Sequence, residues 1–223
     1  MNNEELIKKL IQKGILKTQL IIEAFKKIKR IDFVLDEFKN QAYEDHPLSI
    51  GFGQTISQPL TVAFMLELLN PKPGEKILEI GSGSGWLTAL LAYCVSYPPK
   101  NKELKKFHPK VIAIERIPEL KNFAQTNISK YNFILSGVVE LILEDGSKGY
   151  LPEAPYDKII SSASASYIPV AWKNELKIGG KIVAPVLNSI EVYTKLNQDD
   201  FDIKIYKGFS FVPLVIENGS GSM

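Results

Sequence analysis

Residues 75–86, Glu-Lys-Ile-Leu-Glu-Ile-Gly-Ser-Gly-Ser-Gly-Trp, constrain the fold of this 223-residue chain more than any other stretch. Ile77, Leu78 and Ile80 predict a short buried strand. Three alternating glycines follow it and predict a turn at which the backbone can approach a ligand closely. The apolar run 86–95 then predicts a helix packed on a sheet, with its N-terminal N–H groups facing the turn. Such a strand, loop and helix are typical of a site for a nucleotide-like ligand.

The glycine spacing narrows the ligand class. Gly81, Gly83 and Gly85 form Gly-x-Gly-x-Gly, whereas the dinucleotide fingerprint is Gly-x-Gly-x-x-Gly, so a pyrophosphate is not the favoured ligand. Glu79 precedes the first glycine by two residues and suits a ligand that carries positive charge, such as S-adenosylmethionine with its ammonium and sulfonium groups. The alternative is a tight strand-to-helix connection that binds nothing.

Strands and helices alternate through the rest of the chain. Helices are predicted at 4–12, 18–28 with Thr18 as N-cap, 60–69, 118–130 and 170–176, and buried strands at 111–115, 138–143, 156–161 and 180–186. Residues 48–59 predict a glycine-bearing loop, Gly179 and Gly180 a turn, and residues 191–196 and 201–211 an antiparallel pair at the sheet edge. The order predicts an α/β fold with an open, mostly parallel, doubly wound sheet whose ligand site lies at the carboxyl ends of the strands.

Three acidic side chains occur at the carboxyl ends of predicted strands. Glu79 ends the first strand, Glu115 the second and Asp145 the third, so we expect them to converge on one crevice. Glu115 is placed to accept hydrogen bonds from a ribose diol, and Asp145 with the adjacent backbone to receive an adenine amino group. Each acid alone is as well explained by a helix cap or a solvated loop charge. Together they favour an adenosine with a cationic substituent, hence S-adenosylmethionine and a methyltransferase.

Composition argues against several classes of partner. The formal net charge is +2 and the lysines are scattered, so nothing favours nucleic acid. No apolar run approaches the roughly 20 residues of a membrane span, and the N-terminus lacks signal-peptide features, so we expect a cytoplasmic protein without membrane partners. Cys94 is the single cysteine and the two histidines are distant from it, so neither a disulfide nor a metal site is expected.

A family resemblance extends these inferences. The segment 50–59, Ile-Gly-Phe-Gly-Gln-Thr-Ile-Ser-Gln-Pro, resembles the signature of the protein-L-isoaspartate (D-aspartate) O-methyltransferases. The resemblance continues in order at 78–85, 114–120, 145–146, 153–157 and 211–214. It implies a Rossmann-like class I methyltransferase fold with an antiparallel edge strand. It also implies an N-terminal helical extension with the active-site loop at 1–58, a methyltransferase domain at 59–216 and a flexible tail at 217–223.

The resemblance also implies a reaction. The methyl group of S-adenosylmethionine is transferred to the free carboxylate of L-isoaspartyl residues, with D-aspartyl residues as a further substrate, and this initiates repair of damaged proteins by a monomeric enzyme. An acceptor carboxylate with a pKa near 4 is already ionised at neutral pH, so its attack needs no general base. Catalysis can then consist of aligning carboxylate oxygen, methyl carbon and sulfonium sulfur.

The resemblance implies site residues of two kinds. The implied cofactor-binding residues are Glu79, Gly81, Ser82, Gly83, Ser84, Gly85, Glu115, Arg116, Asp145 and Gly146. The implied substrate-binding residues are Gln54, Thr55, Ile56 and Ser57, of which Ser57 is the catalytic residue that holds the acceptor carboxylate. Ser57 could instead cap the following helix, and packing is the simpler role for Ile56.

Three departures from the family pattern limit how far the family's residue roles can be assigned to this chain. They are the serine-rich run 161–169, a longer lysine-rich loop at 96–109, and residues 185–188, which lack the glycine expected after the fifth strand. The loop is either a neutral insertion or a contact surface for particular substrates. Two other functions stay open on sequence alone. One is an aspartate methyltransferase for a dedicated peptide, and the other is a non-catalytic adaptor that binds the cofactor and recognises modified carboxylates.

Overall fold

The computed structural model describes residues 1–97 and 110–215. Apart from its first two residues, the lysine-rich loop at 96–109 lies outside the described residues, as does the predicted tail at 217–223. The helices are α1 (Asn3–Gln12), α2 (Gln19–Lys27), α3 (Pro59–Leu69), α4 (Trp86–Ser96), α5 (Pro118–Ser129) and α6 (Val170–Glu175). The strands are β1 (Leu48–Gly51), β2 (Gln54–Ile56), β3 (Lys76–Ile80), β4 (Lys110–Glu115), β5 (Val139–Leu143), β6 (Tyr156–Ser161), β7 (Leu176–Val186), β8 (Ser189–Lys195) and β9 (Phe201–Lys207).

The main sheet has seven strands in the order β5-β4-β3-β6-β7-β8-β9. The pairs from β5 to β7 are parallel, whereas β8 pairs antiparallel with β7 and with β9. The chain runs from β3 outwards through β4 to β5 and then returns to place β6 on the other side of β3. The predicted doubly wound α/β fold with an antiparallel edge is therefore confirmed, and the order reverses between β3 and β6, where such sheets bind ligands.

The two faces of the sheet have different covers. Helices α3, α4 and α5 pack on one face, α2 packs on α3 and α4, and α1 packs on α2. All five share one hydrophobic core, and α6 covers part of the other face. The alternation of β3 sends Ile77 to the first face and Leu78 and Ile80 to the second. The N-terminal helices thus belong to the same core as α4, and the division at residue 58 stays a prediction. Among the described residues, no helix is long and apolar enough to cross a membrane.

The predicted loop at 48–59 was wrong, because most of it forms a two-stranded hairpin. β1 and β2 pair antiparallel, with Leu48 opposite Ile56 and Gly51 opposite Gln54. Phe52 and Gly53 form the tip with φ values of 55° and 68°. Strands of four and three residues are too short to show a clear period-2 pattern in the sequence.

Two further boundaries differ from the prediction by four residues. β7 begins at Leu176 rather than at Gly180, and its register with β6 shifts between Tyr156 and Lys158. The glycines thus lie in an irregular part of the strand, since Gly179 has a φ of +79° and a Cβ on Gly180 would lie 2.7 Å from the Lys177 carbonyl oxygen. The last strand ends at Lys207, four residues before the predicted limit.

Thr18 occupies the N-cap position of α2, as predicted, but does not cap the helix through its side chain. Its hydroxyl donates to Glu67 Oε2 of α3 at 2.7 Å. Tertiary contact between the two helices has replaced the local hydrogen bond that the sequence favoured.

Candidate active site

The glycine turn between β3 and α4 has the conformation that its sequence predicts. Gly81, Gly83 and Gly85 have φ values of 82°, 52° and 88°. Gly85 is the N-cap of α4, and a Cβ there would lie 2.9 Å from the Ile128 side chain of α5. The left-handed backbone and the close approach of α5 both exclude a larger side chain at this position.

Glu115 ties the end of β4 to this turn. Its Oε2 accepts a hydrogen bond from the Gly83 N–H at 2.9 Å, and its Oε1 accepts from the Arg116 and Ile117 N–H groups at 2.9 and 3.1 Å. The side chain is 95% buried. Each carboxylate oxygen can accept more than one hydrogen bond, so this fixed group retains capacity for the hydroxyls of a ligand.

Glu79 lies behind the crevice wall rather than in it. β3 alternation turns the side chain towards α4, where it is fully buried and neither carboxyl oxygen has a hydrogen-bond partner among the described residues. The pKa of Glu79 is raised to about 8, mainly by desolvation on burial and in smaller part by the nearby Glu115, while the Thr88 hydroxyl opposes the rise. The strand ends converge as predicted, but this side chain faces the helical layer.

Asp145 and Gly146 follow β5, and Gly146 lies against the Ile80 side chain at the end of β3. Asp145 Oδ1 accepts from the Ser147 N–H at 2.9 Å, and its Oδ2 lies 3.6 Å from Lys148 Nζ. The Gly146 carbonyl accepts from the buried Trp172 indole N–H at 2.8 Å. The backbone of this turn is therefore held rigidly, with Gly146 lining the crevice.

The crevice itself combines segments that are far apart in the sequence. Its lining includes Ile50, Gln54, Thr55, Ile80, Gly81, Gly83, Ile114, Glu115, Arg116, Ile117, Leu120, Glu144, Gly146, Ser162, Ala163 and residues 212–215. The sequence motifs did not indicate a role in the site for the apolar wall formed by Ile50, Ile80 and Ile114, or for the residues contributed after β6 and β9. The residues 50, 80, 114 and 212–214 do lie inside the segments that carry the family resemblance.

Ser57 lies between the glycine turn and the protein exterior. On the inside, a small cavity joins it to Ser82 and Ser84 of the turn. On the outside, a groove joins it to Gln58 and Phe211. Thr55 and Ser162 line the crevice, the inner cavity and the outer groove alike. The half-buried Ser57 is thus reached from both the turn and the outer groove.

The alternative role of Ser57 as a helix cap is wrong. The N-cap of α3 is Gln58, which makes no side-chain capping bond. The N–H of Leu60 in the first turn donates instead to Asp45 Oδ1 at 2.9 Å. A carboxylate from a distant loop caps this helix, so the Ser57 hydroxyl is not used for that purpose.

The remaining predicted residues lie around the same openings. Gln54 is half-buried and its Nε2 donates to the Phe52 carbonyl at 3.4 Å, while Thr55 is exposed. Ile56 is 4% exposed and packs in the core, consistent with a packing role. Arg116 is exposed at the rim of the crevice, and the Ser82 hydroxyl is buried without a hydrogen-bond partner among the described residues.

Comparison with known proteins identifies the family. The family model described as Protein-L-isoaspartate(D-aspartate) O-methyltransferase (PCMT) matches residues 1–219. A protein-L-isoaspartate O-methyltransferase of Methanopyrus kandleri is 40% identical over 220 residues, covering 97% of this chain and 92% of the relative. One of Pyrococcus horikoshii is 42% identical over 221 residues, covering 96% and 92%.

Solved structures agree with this result. The chain is similar, with a TM-score of 0.84 and 26% identity, to a Plasmodium falciparum structure described as a putative protein-L-isoaspartate O-methyltransferase beta-aspartate methyltransferase in complex with S-adenosyl-L-homocysteine. That alignment covers 96% of this chain and 99% of the other. A second structure named protein-L-isoaspartate O-methyltransferase shares the fold with a TM-score of 0.81 at 23% identity, over 95% of this chain and 65% of the other.

Proposed function

Because the chain belongs to the protein-L-isoaspartate(D-aspartate) O-methyltransferase family, we propose that Ser57 receives the acceptor carboxylate and that the crevice beside the glycine turn holds S-adenosylmethionine. The protein transfers the methyl group of S-adenosylmethionine to the free carboxylate of L-isoaspartyl residues. The cofactor supplies a methyl group made electrophilic by its sulfonium.

The polar groups of the crevice fit a cationic adenosine ligand. Glu115 offers a buried, immobilised carboxylate for ribose hydroxyls. The buried Ser82 hydroxyl, which has no hydrogen-bond partner in the part of the chain that the structure describes, suits the amino acid part of the ligand, as does the glycine turn with Ser84. Asp145 and Gly146 are proposed for the adenine edge and Arg116 for the rim. Glu79 acts from behind the turn, where a ligand cation would favour its ionised form.

Ser57 is proposed as the residue that holds the substrate. Its hydroxyl can donate to a carboxylate oxygen, and it immediately precedes the N-terminus of the 11-residue helix α3, whose dipole favours an anion. Gln54 and Thr55 are proposed as further substrate contacts, and Ile56 supports them from the core. The position of Ser57 between the glycine-turn cavity and the outer groove is the observation that carries this assignment.

Labelled S-adenosylmethionine, incubated with matched isoaspartyl, aspartyl and D-aspartyl peptides, tests the proposal through the yield of base-labile methyl ester. We expect the isoaspartyl peptide to be preferred. Ser57→Ala should lower kcat by about 100-fold, the range seen when one positioning hydrogen bond is lost. S-adenosylhomocysteine affinity should change by less than about threefold, since the hydroxyl contributes to alignment and not to cofactor binding.

Ser129→Ala is the control, because it removes an exposed helical hydroxyl that donates to the Gln125 carbonyl of its own helix. If turnover and cofactor affinity fall in proportion in the Ser57 variant, its assignment is wrong. Preference for the intact aspartyl peptide would favour the dedicated-peptide alternative. Cofactor binding without any turnover would favour the adaptor.

We also propose that the enzyme acts as a cytoplasmic monomer on damaged proteins and not on nucleic acids or membranes. The small net charge of +2 supports the lack of a nucleic-acid partner. Light scattering at micromolar concentration should give the mass of one 25.0 kDa chain. A mass of about twice that value would contradict the proposal.

A further inference from the structure

Arg30 is a fully buried arginine to which the proposed function assigns no task. It begins a short 3-10 helix, Arg30–Phe33, and none of its surface is exposed. Burying a guanidinium is costly unless hydrogen bonds replace its water. Burial lowers the pKa of Arg30 to about 10, and nearby Asp45 partly opposes this. A guanidinium that stays charged in a buried position must be stabilised by the groups around it.

The hydrogen bonds of Arg30 all go to backbone carbonyls. Nη1 donates to the Ala42 and Glu44 carbonyls at 3.0 and 3.2 Å, and Nη2 donates to the His46 and Ser57 carbonyls at 2.9 and 3.1 Å. A longer contact of 3.5 Å joins Nη2 to the Ile56 carbonyl. The planar fork therefore bridges the segment 42–46 and the end of the hairpin that carries Ser57.

The same guanidinium also contacts the start of α4. Its carbon lies 5.4 Å from the centre of the Trp86 ring, within the range of a cation–π interaction. Trp86 directly follows the glycine turn and lines the inner cavity beside Ser57. Arg30 thus contacts the Ser57 backbone on one side and, on the other, Trp86 at the end of the glycine turn.

We propose that Arg30 is a positioning residue that fixes the distance and orientation of Ser57 relative to the glycine turn, an inference that rests on the proposed function of Ser57. Arg30 touches neither substrate nor cofactor. It holds the carbonyl of the residue whose hydroxyl receives the carboxylate, so that the acceptor oxygen is aligned with the methyl group. A displacement of about 1 Å at such a position can cost about 100-fold in rate.

Arg30→Lys and Arg30→Met test this role. Lysine keeps the charge but has one nitrogen, so it cannot bridge both segments as the fork does. We expect both variants to lower kcat by about 10- to 100-fold while S-adenosylhomocysteine affinity stays within about threefold of the wild-type value. A kcat within threefold of the wild type in Arg30→Lys would overturn the proposal, as would a loss of cofactor affinity in step with kcat.

Lys195→Met provides a matched control for the loss of a buried cation. Lys195 is 2% exposed, and its Nζ donates to the Lys173 and Leu176 carbonyls at 2.7 and 3.0 Å, away from the crevice. The kcat of the Lys195→Met variant should stay near the wild-type value, even if its melting temperature falls as far as that of the Arg30 variants. An equal loss of kcat in the control would mean that Arg30 matters only through overall stability.

Hydrogen exchange separates failure of this inference from failure of the proposed function. In Arg30→Lys, amides in residues 42–46 and 56–58 should exchange faster, whereas those of β3, β4 and β6 should not change. This readout needs no substrate. A wild-type enzyme inactive on every peptide would refute the proposed function alone, and unchanged exchange in both segments would refute the role of Arg30.

Discussion

Replacing Glu79 by glutamine should remove a large pH dependence from the stability of the cofactor-free protein. Burial raises the pKa of this carboxyl from 4.5 to about 8, so between these values the folded state binds the proton that the unfolded state has released. The contribution of this carboxyl to the free energy of unfolding is therefore fully present below about pH 4.5. It decreases by about 1.4 kcal/mol per pH unit as the pH rises towards 8. Between pH 5 and pH 7 the loss is about 3 kcal/mol on this basis.

Urea unfolding of the wild type and Glu79→Gln at intervals between pH 5 and pH 8 measures this effect. The free energy of unfolding of the wild type, relative to the variant, should fall steadily across the range. Any cost of burying the glutamine amide is independent of pH and leaves the slope unchanged. Glu119→Gln, at an exposed position in the first turn of α5, controls for the loss of one surface carboxylate. A wild-type-minus-variant difference that varies by less than about 0.5 kcal/mol would refute the reasoning.

Cofactor binding should reverse the protonation of Glu79. A ligand that brings an ammonium and a sulfonium close to the turn favours the ionised carboxyl, so binding at pH 7 should release about one proton. Calorimetric titration in buffers of different ionisation enthalpy measures this number directly. The Glu79→Gln variant should release about one proton fewer than the wild type, and equal release would show that Glu79 is not coupled to the ligand.

Two further predictions concern residues that support the site. Gly85→Ala should lower the free energy of unfolding by about 2–4 kcal/mol, because the new Cβ combines a strained φ of +88° with a 2.9 Å approach to Ile128; a loss below about 0.5 kcal/mol in urea would contradict it. Asp45→Ala should cost about 1 kcal/mol, since the Leu60 N–H loses its capping acceptor. Lys13→Met, which removes only the exposed ion pair to Asp45, should cost less than half as much in the same assay, and equal losses would assign the effect to the ion pair.

Patterns that lie within one element were predictable from the sequence. The strand residues 77–80, the three glycines and the apolar helix after them have a period or a residue type that itself specifies a conformation, and the structure has all three. The alternation of elements was sufficient for the sheet class. Where a strand was only three or four residues long, as in the hairpin before Ser57, the pattern was too short and the segment was predicted as a loop.

Side-chain directions at the site were less predictable. The sequence placed Glu79, Glu115 and Asp145 at strand ends, and all three lie there. It did not establish that Glu79 faces the helical layer, because the face to which a strand residue points depends on which face α4 covers. Nor did it identify Asp45 as the cap of α3, because Ser57 lies next to the helix in the sequence and was the local candidate.

By itself, the sequence determined the class of fold, the glycine turn and the family, because each depends on residue types in short segments at fixed spacing. Only the tertiary structure decided that Arg30 holds the Ser57 carbonyl, that Glu79 is fully buried beneath the helices and that Ser162 joins the crevice to the outer groove. The Arg30–Ser57 contact, for example, links residues that are separated by 27 positions. These relations depend on how sheet and helices pack, and such packing leaves no periodic trace in the chain.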